Sequence, residues 1–260
     1  MEKSERMRDG WRRIFGPPET EKTQSYYAGL MKGEVHKHHP WGKAARFNSE
    51  KALRSPSVRK YFTAKVAPLL RDADRVLDAG CGPGTFLPAV SPLCGELVGV
   101  DVSSAFVMES HSTVARFGLR NTTIVQGKTE ALPFPASSFD VVLVVDVLHH
   151  LYRLEESVTE LKRVLKPDGR MLVFEPNILN PLLSLMSILD RNEWGSFLLC
   201  RKGAYTALFE GRFRIEALEY NGLVIGPDQP LFLKMADLLN RPALRLRWLN
   251  PKIFVSLKNA

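Results

Sequence analysis

The sequence has few cysteines and no long uncharged apolar run. Its three cysteines, Cys81, Cys94 and Cys200, form no C-x-x-C pair and no even set, which excludes a disulfide scaffold and disfavours a structural zinc site. No uncharged stretch reaches the roughly 18 residues that suggest a membrane-spanning helix. The N-terminal residues are charged and have no apolar core typical of a signal peptide. These absences predict a cytoplasmic protein in a reducing compartment.

Charge is distributed unevenly along the 260 residues, which carry a formal net charge of +8. Residues 1–75 are strongly basic, residues 76–177 are mildly acidic and residues 178–260 are basic again. Basic flanks are typical of proteins that bind nucleic acid, an anionic membrane surface or an acidic substrate. A basic surface without a partner is an equally ordinary explanation. We found no internal repeat or low-complexity tract.

Short apolar runs alternate with helical patterns through the middle of the chain. Strands are predicted at 75–79, 97–102, 123–126, 139–145 and 170–175, with helices at 56–71, 105–117 and 155–165. The run at 139–145 consists mostly of Val, as expected for a central parallel strand. This alternation predicts a doubly wound parallel α/β sheet whose ligand lies at the carboxyl ends of the strands.

A glycine-rich turn follows the first strand. Residues 76–84 read Val-Leu-Asp-Ala-Gly-Cys-Gly-Pro-Gly, and Asp101 ends the second strand. Missing side chains let a ligand approach the backbone, and a carboxylate about 20 residues later suits ribose hydroxyls. A dinucleotide fingerprint requires Gly or Ala at position 85, which is Thr85. The turn therefore predicts a nucleoside-containing cofactor, and an NAD-dependent dehydrogenase is an alternative that Thr85 weakens. A glycine turn can also close an ordinary α/β unit.

Four linked segments resemble class I S-adenosylmethionine (SAM)-dependent methyltransferases of the type 11 subgroup. The segments are the glycine turn with Asp78, the Ala-Leu-Pro-Phe and Ser-Phe-Asp runs at 131–140, Asp-Val-Leu-His-His-Leu at 146–151, and Leu-Lys-Arg-Val-Leu-Lys-Pro-Asp-Gly at 161–169. The resemblance implies a Rossmann-like sheet of seven strands, mostly parallel with an antiparallel edge strand, with N-terminal helices. It also implies an N-terminal arm and lid at 1–55 and a SAM-binding domain at 56–260, with a helical substrate lid near 178–211.

The same resemblance implies which residues bind SAM. Asp101 would hold the ribose and Val102 would touch the adenine. Family members often carry Gly-Asp-Ala-Glu where this chain has Gly127-Lys128-Thr129-Glu130. Lys128 cannot accept a hydrogen bond from the adenine amino group, so Thr129, Glu130 or backbone atoms must do so. The remaining predicted contacts are Asp78, Ala79, Gly80, Cys81, Gly82, Gly84 and Asp146.

Two histidines after the fourth strand are candidate bases. His149 or His150 would take a proton from the methyl acceptor near neutral pH; packing at the start of a helix is the competing explanation. No metal site is predicted, because the cluster His36, His38 and His39 has no Cys or carboxylate at useful spacing. Tyr26, Tyr27 and Trp41 are predicted either to cap the cofactor pocket or to be core aromatics.

The sequence favours methyl transfer from SAM, with S-adenosyl-L-homocysteine as product, to a small-molecule or lipid-like acceptor. Apolar residues near 181–199 and 231–239 beside Arg241, Arg245 and Arg247 suit an amphiphilic substrate or peripheral contact with an anionic membrane, or else a buried helix pair. A nucleic-acid methyltransferase is the alternative, disfavoured because Asp146-Val147-Leu148-His149 replaces the Pro-Pro-aromatic clamp that base-modifying enzymes carry. A SAM-binding protein without turnover is a further alternative. The acceptor and the oligomeric state are not predicted.

Overall fold

The computed structural model describes residues 47–151, 153–189, 199–224 and 246–259, together with residues 29, 197, 231, 234, 237 and 238. The predictions for Tyr26, Tyr27, Trp41 and the histidine cluster at 36–39 lie outside these residues, as do residues 1–28 and 30–46 of the predicted N-terminal arm. The division at residue 55 remains a prediction.

The described strands form one seven-stranded sheet in the order β3-β2-β1-β4-β5-β7-β6. Strands β1 to β5 pair in parallel, and β7 runs antiparallel to both of its neighbours, β5 and β6. This confirms the predicted fold class, with the antiparallel strand one position in from the edge. The strands are β1 (Arg75–Ala79), β2 (Glu96–Asp101), β3 (Thr122–Gln126), β4 (Phe139–Val145), β5 (Leu165–Pro176), β6 (Arg214–Asn221) and β7 (Lys252–Lys258).

Helices cover both faces of the sheet. They are α1 (Ser49–Arg54), α2 (Ala64–Val66), α3 (Leu87–Val90), α4 (Ser104–Phe117), α5 (Leu154–Val164), α6 (Pro181–Leu189) and α7 (Lys202–Phe209). Alternate side chains of β4 enter two separate cores: Val142 and Val144 pack with α5 and α7, whereas Val141 and Leu143 pack with Phe62 and Leu87 on the other face. Both faces of the central strands are therefore buried, as parallel sheets require.

Most predicted element positions are confirmed, and the differences have local causes. The predicted helix at 56–71 is instead a π-helical segment, Val58–Thr63, followed by α2 and the 3-10 turn Ala67–Leu69, which contains Pro68. Ser103 caps α4 by accepting a hydrogen bond from the Phe106 amide. Among the described residues, no helix combines the length and apolar character needed to cross a membrane.

Candidate cofactor cleft

A cleft of about 230 Å³ lies at the carboxyl ends of β1, β2 and β4. This is the edge of a doubly wound sheet where ligands bind. Most of the predicted cofactor residues line it, whereas Ala79 and Gly84 do not. The predicted residues at the cleft wall are Asp78, Gly80, Cys81, Gly82, Asp101, Val102, Thr129, Glu130 and Asp146.

Two glycines of the turn have different reasons to lack a side chain. Gly80 has φ +78°, and a Cβ there would lie 2.5 Å from Val147 Cγ2, so this position is needed for close packing of the turn against the loop after β4. Gly82 has φ +55°, and a Cβ there would meet no atom within 4 Å. The backbone at Gly82 therefore borders open space into which a ligand can come close.

Asp101 is fixed at the end of β2 by backbone amides. Its Oδ2 accepts a hydrogen bond from Gly82 N at 2.9 Å, and its Oδ1 accepts one from Ser103 N at 2.8 Å. Burial raises the pKa of this carboxyl, and the hydrogen bonds from the backbone oppose that shift. A preoriented carboxylate acceptor in the cleft fits the hydroxyl donors of a ribose.

Asp78 is buried beneath the turn, and its side chain is also part of the cleft wall. Burial, and to a lesser extent the negative charge of Asp101, raise its pKa from 3.8 to about 7. A cation bound beside the two carboxylates would lower both pKa values. SAM carries such charge on its ammonium and sulfonium groups.

The stability of the free protein should fall as pH rises from about 4 to about 7, because folded Asp78 holds a proton that the unfolded chain has lost. Asp78→Asn removes this titration, so the free energies of unfolding of wild type and variant should differ most at the high-pH end. Urea unfolding across this pH range measures the difference. A difference that stays constant with pH would contradict the assignment.

The segment at 128–130 offers the cleft more than one polar group. Lys128, Thr129 and Glu130 all line it, but the Thr129 hydroxyl lies 3.0 Å from Ser157 Oγ and shares a hydrogen bond with it. The side chain of Thr129 thus bonds to helix α5. The carboxylate of the next residue, Glu130, takes no part in this bond and is the neighbouring acceptor in the cleft.

The loop after β4 is held from below by Glu175, at the end of β5. Glu175 Oε1 accepts hydrogen bonds from the amides of Val147 and Leu148, both at 2.8 Å. Its Oε2 lies 2.5 Å from His149 Nδ1, and both side chains have 0% exposure. Asp146 begins this loop in the left-handed conformation, with φ 57°, and forms an ion pair with Lys252 of β7.

The structure separates the two candidate bases. His149 is buried against Glu175 and does not line the cleft, which favours the packing explanation, and its role as a base stays a prediction. His150 lines the cleft, and its ring contacts that of His149 at an interplanar angle of 41°, with centroids 3.9 Å apart. The 3-10 turn Leu148–His150 places the two neighbouring rings in these different settings.

Several cleft residues and their supports were missed from the sequence. Phe47, Phe86, Phe106, Leu151 and Arg153 line the cleft, and Glu175 and Lys252 support it. Apolar residues such as the first four are ordinary core signals and an arginine is an ordinary surface residue, so none of the five had a distinctive pattern. Glu175 alone carried a usable signal, since a carboxylate at the end of a buried apolar strand needs partners.

One buried group of side chains has metal-ligand chemistry. Ligand atoms of His149, Glu175 and Cys200 lie within 4.8 Å of one another. The carboxylate already accepts three hydrogen bonds or ionic contacts, and Tyr205 donates to Cys200 Sγ at 3.5 Å. Burial raises the pKa of the Cys200 thiol well above its usual value. The group is therefore explained as a hydrogen-bonded support of the loop after β4.

Comparison with known proteins gives the cleft its context. Residues 77–173 match the family described as a methyltransferase domain. A ubiquinone/menaquinone biosynthesis C-methyltransferase of Pasteurella multocida is 30% identical over 188 residues, 67% of this chain and 70% of that protein. The chain belongs to the class I SAM-dependent methyltransferases. SAM is accordingly its cofactor.

Two further comparisons show how much of this chain is similar to other methyltransferases. An uncharacterized methyltransferase of Bacillus subtilis is 39% identical over 105 residues, 40% of this chain and 42% of that protein. The chain spans about half the length of the first curated relatives that it matches. The crystal structure of a SAM-dependent methyltransferase from Aquifex aeolicus has a TM-score of 0.57 at 18% identity, covering 82% of this chain and 99% of that one. The likeness to the Aquifex structure is a likeness of fold alone.

Proposed function

We propose that this methyltransferase transfers a methyl group from SAM to a small amphiphilic or lipid-like acceptor. The observation that carries methyl transfer is the joint placement of the glycine turn, Asp101 and His150 around one cleft. Apolar and aromatic groups at the same cleft, Phe47, Phe106 and Leu151, favour an acceptor with an apolar body. The Pasteurella relative is named for quinone biosynthesis. That name agrees with the proposed class of acceptor, but it does not identify the acceptor of this chain.

The chain supplies distinct contacts for each part of SAM. Asp101 would bind the ribose hydroxyls, and the exposed backbone at Gly82 would lie beside the amino-acid end, with Asp78 balancing its positive charge. Bound SAM supplies an activated methyl group on its sulfonium. The protein's main contribution is then to align the acceptor with that group and to exclude water.

His150 is proposed as the base that accepts a proton from the attacking hydroxyl or carbon acid. Its ring lines the cleft and contacts the ring of His149, which Glu175 holds in place. Arg153 lines the same cleft and supplies a cation for an acceptor oxygen that gains negative charge. An amine acceptor would need less help, since its neutral form is already nucleophilic.

The proposal is tested by incubating the protein with SAM and a panel of phenols, prenylated quinols, fatty acids, amines, RNA and DNA, with mass-spectrometric detection of methylated products. With an active acceptor, His150→Gln should lower kcat by about 10²–10⁴-fold while leaving the Kd for SAM unchanged. His111→Gln, an exposed histidine of α4 outside the cleft, is the matched control. It should behave as wild type.

Three outcomes would overturn parts of this proposal. Methylation confined to RNA or DNA would favour the nucleic-acid alternative. SAM binding without turnover on any acceptor class would favour a SAM-binding protein that does not catalyse. An active acceptor with full activity in His150→Gln would remove only the base.

A further inference from the structure

The exposed apolar side chains of this methyltransferase are concentrated in its C-terminal third. Outside that region, Leu53 and Met108 are the exposed large hydrophobic residues among those described. We define the lid face as the exposed side chains on or beside α6 and the turn before β7. Its members are Leu179, Leu182, Leu185, Ile188, Leu246 and Trp248.

Helix α6 presents one side of this face. Leu182, Leu185 and Ile188 are spaced three residues apart, so they lie along one side of the helix, with 42%, 55% and 58% of their surfaces exposed. Ser187 is buried and Ser184 is half-buried, so neither polar residue of the helix belongs to its exposed side. No charged residue occurs in Pro181–Leu189. This inverts the usual pattern of a surface helix, which buries its apolar side and exposes polar groups.

Asparagine side chains join α6 to the turn before β7. Asn177 Nδ2 donates to the carbonyls of Trp248 and Asn250 at 2.6 and 2.7 Å, and Asn180 Nδ2 donates to the carbonyl of Leu249 at 2.5 Å. Leu246 and Trp248 therefore lie close to the start of α6, and the apolar side chains from both segments belong to one surface.

Basic residues accompany this surface in the sequence. Arg245 and Arg247 alternate with Leu246 and Trp248, and residues 178–260 contain 11 Lys and Arg against 7 Asp and Glu. Tryptophan and leucine beside arginine are typical of segments that lie in the interface of an anionic bilayer. A second copy of this chain is a poorer match, because pairing through this face would bring together two segments rich in arginine.

We propose that the lid face docks on the surface of an anionic lipid bilayer. Its leucines and Trp248 enter the headgroup region, and the neighbouring basic residues contact lipid phosphates. Docking would bring the enzyme to the phase in which an amphiphilic acceptor dissolves. The inference concerns where the enzyme works, so it stands apart from which acceptor it methylates.

Vesicle co-sedimentation tests the docking. The full chain should pellet with vesicles of phosphatidylcholine and phosphatidylglycerol, pellet far less with phosphatidylcholine alone, and be released by high salt. The triple variant Leu182→Gln, Leu185→Gln, Ile188→Gln should bind the anionic vesicles at least about tenfold more weakly. Its Kd for SAM should equal that of wild type, which separates this outcome from a failure of folding or of the proposed function.

Two controls match the variants. Met108→Gln changes an apolar residue of α4 that is 71% exposed and should leave vesicle binding intact. Arg245→Gln with Arg247→Gln should weaken binding to anionic vesicles, whereas Arg71→Gln with Arg120→Gln, at exposed positions near the amino ends of β1 and β3, should not.

The proposal fails if the wild type does not pellet above background with anionic vesicles, or if the triple variant binds as well as wild type. It also fails if sedimentation velocity finds a dimer that the triple variant abolishes while neither protein binds lipid. In that case the face would be an interface between copies of the chain.

Discussion

Asp101→Ala should weaken the binding of SAM about a hundredfold. Hydrogen bonds to a charged group contribute about 1.5–3 kcal/mol each, and a ribose offers two hydroxyl donors to this carboxylate. The variant also removes the acceptor for the amides of Gly82 and Ser103, so the turn loses a constraint in addition to the ligand contact. The loss should therefore come to roughly 3 kcal/mol, which corresponds to the stated change in Kd.

Isothermal titration calorimetry with SAM measures this change. The variant Asp101→Asn separates the contribution of the carboxylate charge from that of the side-chain shape. Asparagine keeps one carbonyl acceptor, so its Kd should fall between those of wild type and alanine variant. Asp72→Ala removes an exposed carboxylate before β1 and should bind SAM as wild type does. Equal affinities for wild type and Asp101→Ala would refute the ribose contact; tight binding of NAD without SAM would refute the cofactor itself.

Glu175→Ala should destabilise the fold by about 3–5 kcal/mol, because each buried donor that loses its acceptor costs about 1–3 kcal/mol. The truncation leaves the buried amides of Val147 and Leu148 without their side-chain acceptor and takes a partner from His149. The same loop carries Asp146 and His150 at the cleft. Glu175→Ala should therefore also weaken SAM binding. A variant that loses stability through another part of the sheet should not do so.

Thermal unfolding should register this change as a decrease in Tm of roughly 10 °C. Glu175→Gln should recover most of the loss, because its carbonyl can accept from both amides and its amide group can donate to His149. Glu210→Ala removes an exposed glutamate after α7 and should shift stability by less than about 0.5 kcal/mol. A Glu175→Ala variant as stable as Glu210→Ala would contradict the supporting role.

The cofactor half of the site could be predicted because its residues are local in sequence. Asp78, Gly80, Gly82 and Asp101 all lie at or just after strand ends, where a doubly wound sheet places its ligand. The residues that support the cleft from outside its wall could not be predicted in the same way. Glu175 bonds to amides 27 and 28 positions earlier, and nothing in a strand sequence states which loop its last carboxylate will meet.

The adjacent histidines mark a different limit. His149 and His150 are chemically identical and consecutive, and only the turn Leu148–His150 decides which ring is buried and which reaches the cleft. A 3-10 turn rotates successive side chains by about 120°, so an error of one residue in its start would exchange their roles. Sequence patterns rarely locate the start of a turn to within one residue.

The ion pair between Asp146 and Lys252 has a consequence for the order of assembly. Lys252 follows Asp146 by 106 positions, so a growing chain presents β1 to β5 and most of the cleft long before β7 exists. Until β7 inserts between β5 and β6, the Asp146 carboxylate lacks this cationic partner. A cofactor that prefers the finished cleft will favour the inserted state by mass action. SAM bound in the finished cleft would thus favour insertion of the last strand.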